Sequence, residues 1–212
     1  MIEFFLDAYK DTPTFVIVLE AIAFFFGIIS VYFAKQENIL VYPTGLISTI
    51  ITVYLFYRAG YLGDAAVNIY FSIMSIYGWY MWTRMDGNDN AVAVSRTNNK
   101  EKLTGIAIFI FTIFVIYIIY KVCGYKIKVE NYFDIFTSGI FFTAMYFMAL
   151  KKIENWTLWI IGDIISIWLC ARRNLGILSL QYLIFTILAI MAYMQWRKTL
   201  KEQKQSPTLS RQ

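Results

Sequence analysis

Seven apolar stretches, each close to the ~20 residues that an α-helix needs to cross a bilayer, restrict this chain to one kind of fold. They run from Thr14 to Ala34, Ile39 to Arg58, Leu62 to Thr83, Leu103 to Val122, Tyr132 to Leu150, Ile153 to Ala171 and Leu175 to Trp196. In lipid every backbone N–H and C=O must be satisfied within the segment, so stretches of this length read as transmembrane helices. Composition agrees: 59% of the 212 residues are hydrophobic and only 16% are charged, which sets the chain apart from soluble domains. The expectation is an all-α integral membrane protein with seven transmembrane helices.

Connections of a few residues join the first three helices and likewise the last three, whereas Arg84 to Lys102 is a longer polar loop. The organisation therefore reads as residues 14–83, a first three-helix unit; 84–102, a cytoplasmic loop; 103–122, a linking helix; and 131–196, a second unit. Residues 1–13 read as an extracytoplasmic segment. They carry Glu3, Asp7 and Asp11 and lack the basic start and small-residue cleavage site of a signal peptide. Residues 197–212 read as a basic cytoplasmic tail without apolar periodicity. Leu62-Gly63 matches Leu175-Gly176 and Tyr80-Met81 matches Tyr193-Met194, an offset of 113 that sets Asn68 against Gln181. With a single helix between them, the two units enter the membrane in the same direction, giving a 3+1+3 parallel-repeat arrangement of the SWEET type.

Lysine and arginine set the orientation. Seven lie in the loops on the N-terminal side and twelve on the other, which places the N-terminus outside and the C-terminus in the cytoplasm. The net charge of +5 is spread over these loops and the tail, so it is no nucleic-acid footprint. The chain contains no histidine, which removes the usual zinc sites, Ser/His triads and histidine proton relays. No phosphate-binding glycine loop occurs, so nothing in the chain points to nucleotide use, to a cofactor or to catalysis.

Function is expected from polar and aromatic groups inside the membrane. Trp156, Trp159 and Asp163 stand at i, i+3 and i+7 on one helix face. A carboxylate at bilayer depth costs about 2.5–3.5 kcal/mol on insertion scales, so it faces a cavity or a partner. Indole faces attract cations. The alternative is a pair of interfacial tryptophans beside an acid paired to a neighbouring helix. On the third helix Asn68, Ser72, Ser75 and Trp79 form a second stripe, either glue between helices or a cavity lining. Tyr77 flanks Gly78 next to Trp79, and Gln181 lies on the seventh helix.

The runs Ser75-Ile76-Tyr77-Gly78-Trp79-Tyr80-Met81-Trp82 and Glu154-Asn155-Trp156-x-x-Trp159-x-x-x-Asp163, with Asn38 to Gly45 (NILVYPTG) opening the second helix, resemble the PnuC family of vitamin transporters. The resemblance covers roughly Ala21 to Trp196, with Tyr42 where the family has a tryptophan and Asn68 where it often has glutamine. It implies a trimeric SWEET-like bundle of the inner membrane that moves nicotinamide riboside by facilitated diffusion, with net uptake driven by a cytoplasmic kinase. It also implies substrate-binding roles for Asn68, Ser72, Tyr77, Trp79, Trp156, Trp159, Asp163 and Gln181. Thiamine is an alternative substrate within the family, and a non-transporting scaffold or a substrate-binding subunit is the alternative outside it.

Overall fold

The computed structural model describes residues 13–58, 62–84, 92–122, 129–172 and 176–205. The N-terminal segment, the tip of the loop after the third helix and the end of the tail, about all of which the sequence raised expectations, lie outside these residues. Among the described residues there are seven helices: α1 (Thr14–Lys35), α2 (Val41–Arg58), α3 (Leu62–Thr83), α4 (Asn99–Val122), α5 (Val129–Ala149), α6 (Glu154–Arg172) and α7 (Gly176–Gln205).

Four of them are both long and apolar enough to cross a membrane on composition alone: α1, α4, α5 and the Leu178–Gln203 part of α7. The other three reach spanning length but carry the polar rows, with Ser48, Thr49 and Thr52 on α2, Asn68 and Ser72 on α3, and Asn155 and Asp163 on α6. Helix α4 starts earlier than the apolar run predicts. Asn98 Oδ1 accepts from Glu101 N–H while Glu101 Oε2 accepts from Asn98 N–H, a reciprocal capping box that winds the first turn before Leu103. Helix α7 continues to Gln205, so the tail is helical well beyond Trp196.

Helices adjacent in sequence pack together within α1–α2–α3 and within α5–α6–α7, and α4 lies on α5. Two further contacts, α1 with α7 and α3 with α5, join these groups. The α3–α5 crossing is held by Tyr70, whose ring stacks on Phe142 at 3.8 Å while its hydroxyl donates to the Phe142 carbonyl at 2.9 Å. Lipid is as apolar as leucine, so packing and hydrogen bonds of this kind, rather than a hydrophobic drive, hold the helices together.

At one end of the bundle the C-terminal ends of α1, α3 and α5 converge on α7 at Trp196. Trp82 Nε1 donates to the Met148 carbonyl at 3.2 Å, and Trp196 Nε1 donates to the Ala34 carbonyl at 3.0 Å. Both acceptors sit in a helix's last turn, where carbonyls lack partners within the helix. The turns that follow are built alike. Glu37 N–H returns to Ala34 O and Asn38 N–H to Phe33 O; Lys151 N–H returns to Met148 O and Lys152 N–H to Phe147 O. Glu37 (φ 57°) and Lys151 (φ 52°) both occupy the left-handed region.

Every one of these correspondences relates residues 114 apart, not 113. The 113 match rested on Leu62-Gly63 with Leu175-Gly176 and on Tyr80-Met81 with Tyr193-Met194; Tyr80, Met81, Tyr193 and Met194 are exposed or only half-buried, whereas the buried positions hold the other spacing. Asn68 then corresponds to Tyr182 rather than Gln181: Ser72 Oγ donates to Asn68 O, and Thr186 Oγ1 to Tyr182 O.

Between α2 and α3 the packing leaves no spare volume at Gly78, where an added Cβ would overlap the buried Tyr42 ring. Gly78→Ala is therefore expected to destabilise the protein by about 1–3 kcal/mol, the usual cost of overpacking, visible as a lowered thermal midpoint in detergent. An unchanged midpoint would show that Tyr42 moves aside freely.

Candidate functional site

An aromatic run crosses the interior where α3, α5, α6 and α7 meet. On α6, Trp159 stacks on Phe141 of α5 at 5.3 Å and meets Phe71 of α3 at 6.1 Å; the Phe141 ring in turn lies parallel to Tyr182 of α7 at 6.3 Å. Gly162 makes this possible, because a Cβ there would overlap the Phe141 ring. Asp163 follows Trp159 by one helical turn and so shares its face. It is 2% exposed, and among the described residues none hydrogen-bonds or ion-pairs with its carboxylate. Burying an ionised carboxylate is costly unless a positive or hydrogen-donating group reaches it.

The remaining sequence-derived candidates divide. Gln181 and Asn68 are half-buried, on α7 and α3. Ser72 Oγ also lies 2.8 Å from Thr49 Oγ1 of α2, within hydrogen-bond distance, so its hydroxyl is engaged where the two helices meet. Trp156 does not share the surroundings of Trp159. It is 2% exposed within a cluster at the loop end, where its ring meets Trp196 edge-on at 5.4 Å. Its indole nitrogen is sealed, with no hydrogen-bond partner among the described residues. Tyr77 and Trp79 keep 38% and 40% of their surface exposed and belong to no ring cluster among the described residues. The structure therefore gathers Trp159 with Phe71, Phe141 and Tyr182, with Asp163 one turn further along the same face of α6, and sets Trp156, Tyr77 and Trp79 apart from them.

Sequence reading missed Phe71 and Phe141. Eighteen phenylalanines make such rings indistinguishable from lipid-facing ones, and the only local signal was Gly162, which permits a close approach.

Helices with apolar outer surfaces surround an interior of aromatic rings and a buried carboxylate, that of Asp163, which has no partner among the described residues. Comparison with known proteins is specific. The chain belongs to the nicotinamide mononucleotide transporter family, whose model matches residues 17–198, and this is a family of transporters rather than enzymes. It is similar to the nicotinamide riboside transporter PnuC of Escherichia coli, 24% identical over 207 residues and covering 87% of each chain. The PnuC of Haemophilus influenzae is 24% identical over 200 residues, with 92% of this chain and 84% of that one covered. That of Neisseria mucosa is 25% identical over 199 residues, covering 86% and 73%. The crystal structure of the vitamin B3 transporter PnuC matches with a TM-score of 0.70 at 22% identity, over 93% of this chain and 86% of that one, which establishes the shared fold.

Proposed function

We propose that this protein takes up nicotinamide riboside across the inner membrane by facilitated diffusion. The observation that carries the reading is Asp163, enclosed one turn from Trp159 without a counter-charge among the described residues. Nicotinamide riboside is a flat pyridinium cation bearing a sugar, so its ring suits the Trp159 face and its charge suits Asp163. Cation–π contacts of this sort contribute about 2 kcal/mol when desolvated. Asn68 and Gln181 are the groups assigned to the amide or ribose hydroxyls, because a polar site rejects ligands that leave it unpaired. The names of the similar PnuC proteins support the same substrate.

The helices form two parallel three-helix repeats around one linking helix. In support, the contacts α1–α2, α2–α3 and α1–α7 have the counterparts α5–α6, α6–α7 and α5–α3, as a two-fold relation requires, and α4 alone has no counterpart. The matched turns and tryptophan bonds support it further. A homotrimer, an external N-terminus and a cytoplasmic C-terminus complete the reading. A carrier without coupling only equilibrates its solute; phosphorylation by a cytoplasmic kinase supplies the net flux.

Titrating purified protein with nicotinamide riboside should quench tryptophan fluorescence saturably, and Trp159→Phe should lower both the quench and the affinity by roughly 3- to 10-fold, the loss expected when a phenyl ring replaces an indole under a cation. Saturation with thiamine and not with the riboside would reassign the substrate. Silence toward both would discard the vitamin reading.

A further inference from the structure

We infer that the α1–α2 and α5–α6 turns form the closed gate of the solute path, that Glu37 and Lys151 are its latch, and that the α1–α2 turn is the half that moves. The inference rests on the transport reading above.

The two turns meet through their left-handed residues. Lys151 Nζ lies 3.7 Å from Glu37 Oε2 and 4.5 Å above the Trp82 ring, and Glu37 Oε1 accepts from Thr199 Oγ1 at 3.0 Å. A left-handed position after a helix normally takes glycine, since a side chain there is strained. Both positions instead carry long side chains of opposite charge that pair with each other. Lys151 is buried, so it depends on Glu37 for compensation. Around the latch, Tyr42, Trp82, Trp156 and Trp196 are all buried and pack ring against ring.

The two halves differ in how they are tied down. On the α5–α6 side the chain before α4 runs alongside as a strap: Ser95 N–H donates to Lys151 O at 3.1 Å, and Ile153 N–H donates to Ser95 O at 3.0 Å. Lys152 Nζ reaches Ser95 Oγ at 3.0 Å and pairs with Glu101 at 2.9 Å, and Glu154 accepts from Thr97 N–H. Among the described residues nothing corresponds to this strap on the α1–α2 side, which is held across the gate by Lys151, Thr199 and the Trp196 bond to Ala34. Opening therefore separates Glu37 and Ala34 from their partners on α5–α6 and α7 and leaves the strap whole.

The test uses the full chain in liposomes, with Cys123→Ser and Cys170→Ala as background. Linking Glu37→Cys to Lys151→Cys with a short bifunctional methanethiosulfonate should cut nicotinamide riboside uptake by about tenfold or more, with recovery on reduction, because a gate held shut stops flux. Linking Ser95→Cys to Lys152→Cys should leave uptake within about twofold, because no motion crosses the strap. Uptake unaffected by the first link overturns the gate, and uptake abolished by the second overturns the assignment of the moving half. A second readout does not need the vitamin. In Glu37→Gln, a cysteine at Ala34 should react with a water-soluble maleimide about fivefold faster as the open state gains population. The charge reversal Glu37→Lys with Lys151→Glu should restore slow labelling. Equal labelling in all three proteins overturns the latch. Absence of uptake before any linking counts against the transport reading alone, and the labelling still decides the latch.

Discussion

Asp163→Asn is expected to leave the protein folded while weakening nicotinamide riboside binding by about 10- to 100-fold. The carboxylate has no partner among the described residues, so an amide of the same shape breaks no hydrogen bond or ion pair there. What the substitution removes is attraction: a unit charge about 5 Å from a pyridinium, at an effective dielectric constant near 20, contributes about 3 kcal/mol before screening. A titration by tryptophan fluorescence on detergent-purified protein reads the loss directly. The reduced, uncharged form of the riboside supplies the internal control, since its affinity should change little. If the cation and its neutral counterpart weaken equally, the acid acts through shape or helix packing rather than charge. If the variant cannot be extracted as a monodisperse species, the acid is structural.

Trp196→Ala should produce the largest loss of stability. The ring is 0% exposed, contacts Trp82 and Trp156, and satisfies the Ala34 carbonyl through its indole N–H. Deleting a buried tryptophan side chain costs about 3–5 kcal/mol, because its surroundings collapse only in part. For a chain of this size that corresponds to roughly 10 °C in thermal midpoint. Trp79→Ala, removing a ring that is 40% exposed, should shift the midpoint by no more than ~1–2 °C, since exposed positions contribute little. Equal shifts for the two would mean that the loop-end cluster adds nothing beyond surface packing.

The two tryptophans of the Glu154–Asp163 run show how far periodicity reaches. Spacing places Trp156 and Trp159 on one helix face, and both are indeed turned inward on α6. Spacing says nothing of what stands opposite. Trp156 meets Trp196, brought from the far end of the chain, whereas Trp159 meets Phe71 and Phe141 from two other helices. The i, i+3 pair therefore divides between the buried loop-end cluster and the interior aromatic run. Trp79 illustrates the same limit: it lies on the stripe with Asn68, Ser72 and Ser75, but at the end of α3 it faces outward. A helical stripe drawn over three turns covers surroundings that change along its length.

Composition and segment length alone determined that the chain is a helical membrane protein, because only helices of about twenty apolar residues satisfy their own backbone in lipid. The motif runs determined its family, since a handful of aromatic and acidic residues at set spacings is improbable within lipid-facing sequence. Tertiary structure decided what depends on pairing between distant segments: the 114-residue correspondence, the aromatic run beside Asp163, and the meeting of Glu37 with Lys151. Each of these is a contact between side chains far apart in the chain, and the identity of one partner leaves the other undetermined until the helices are packed.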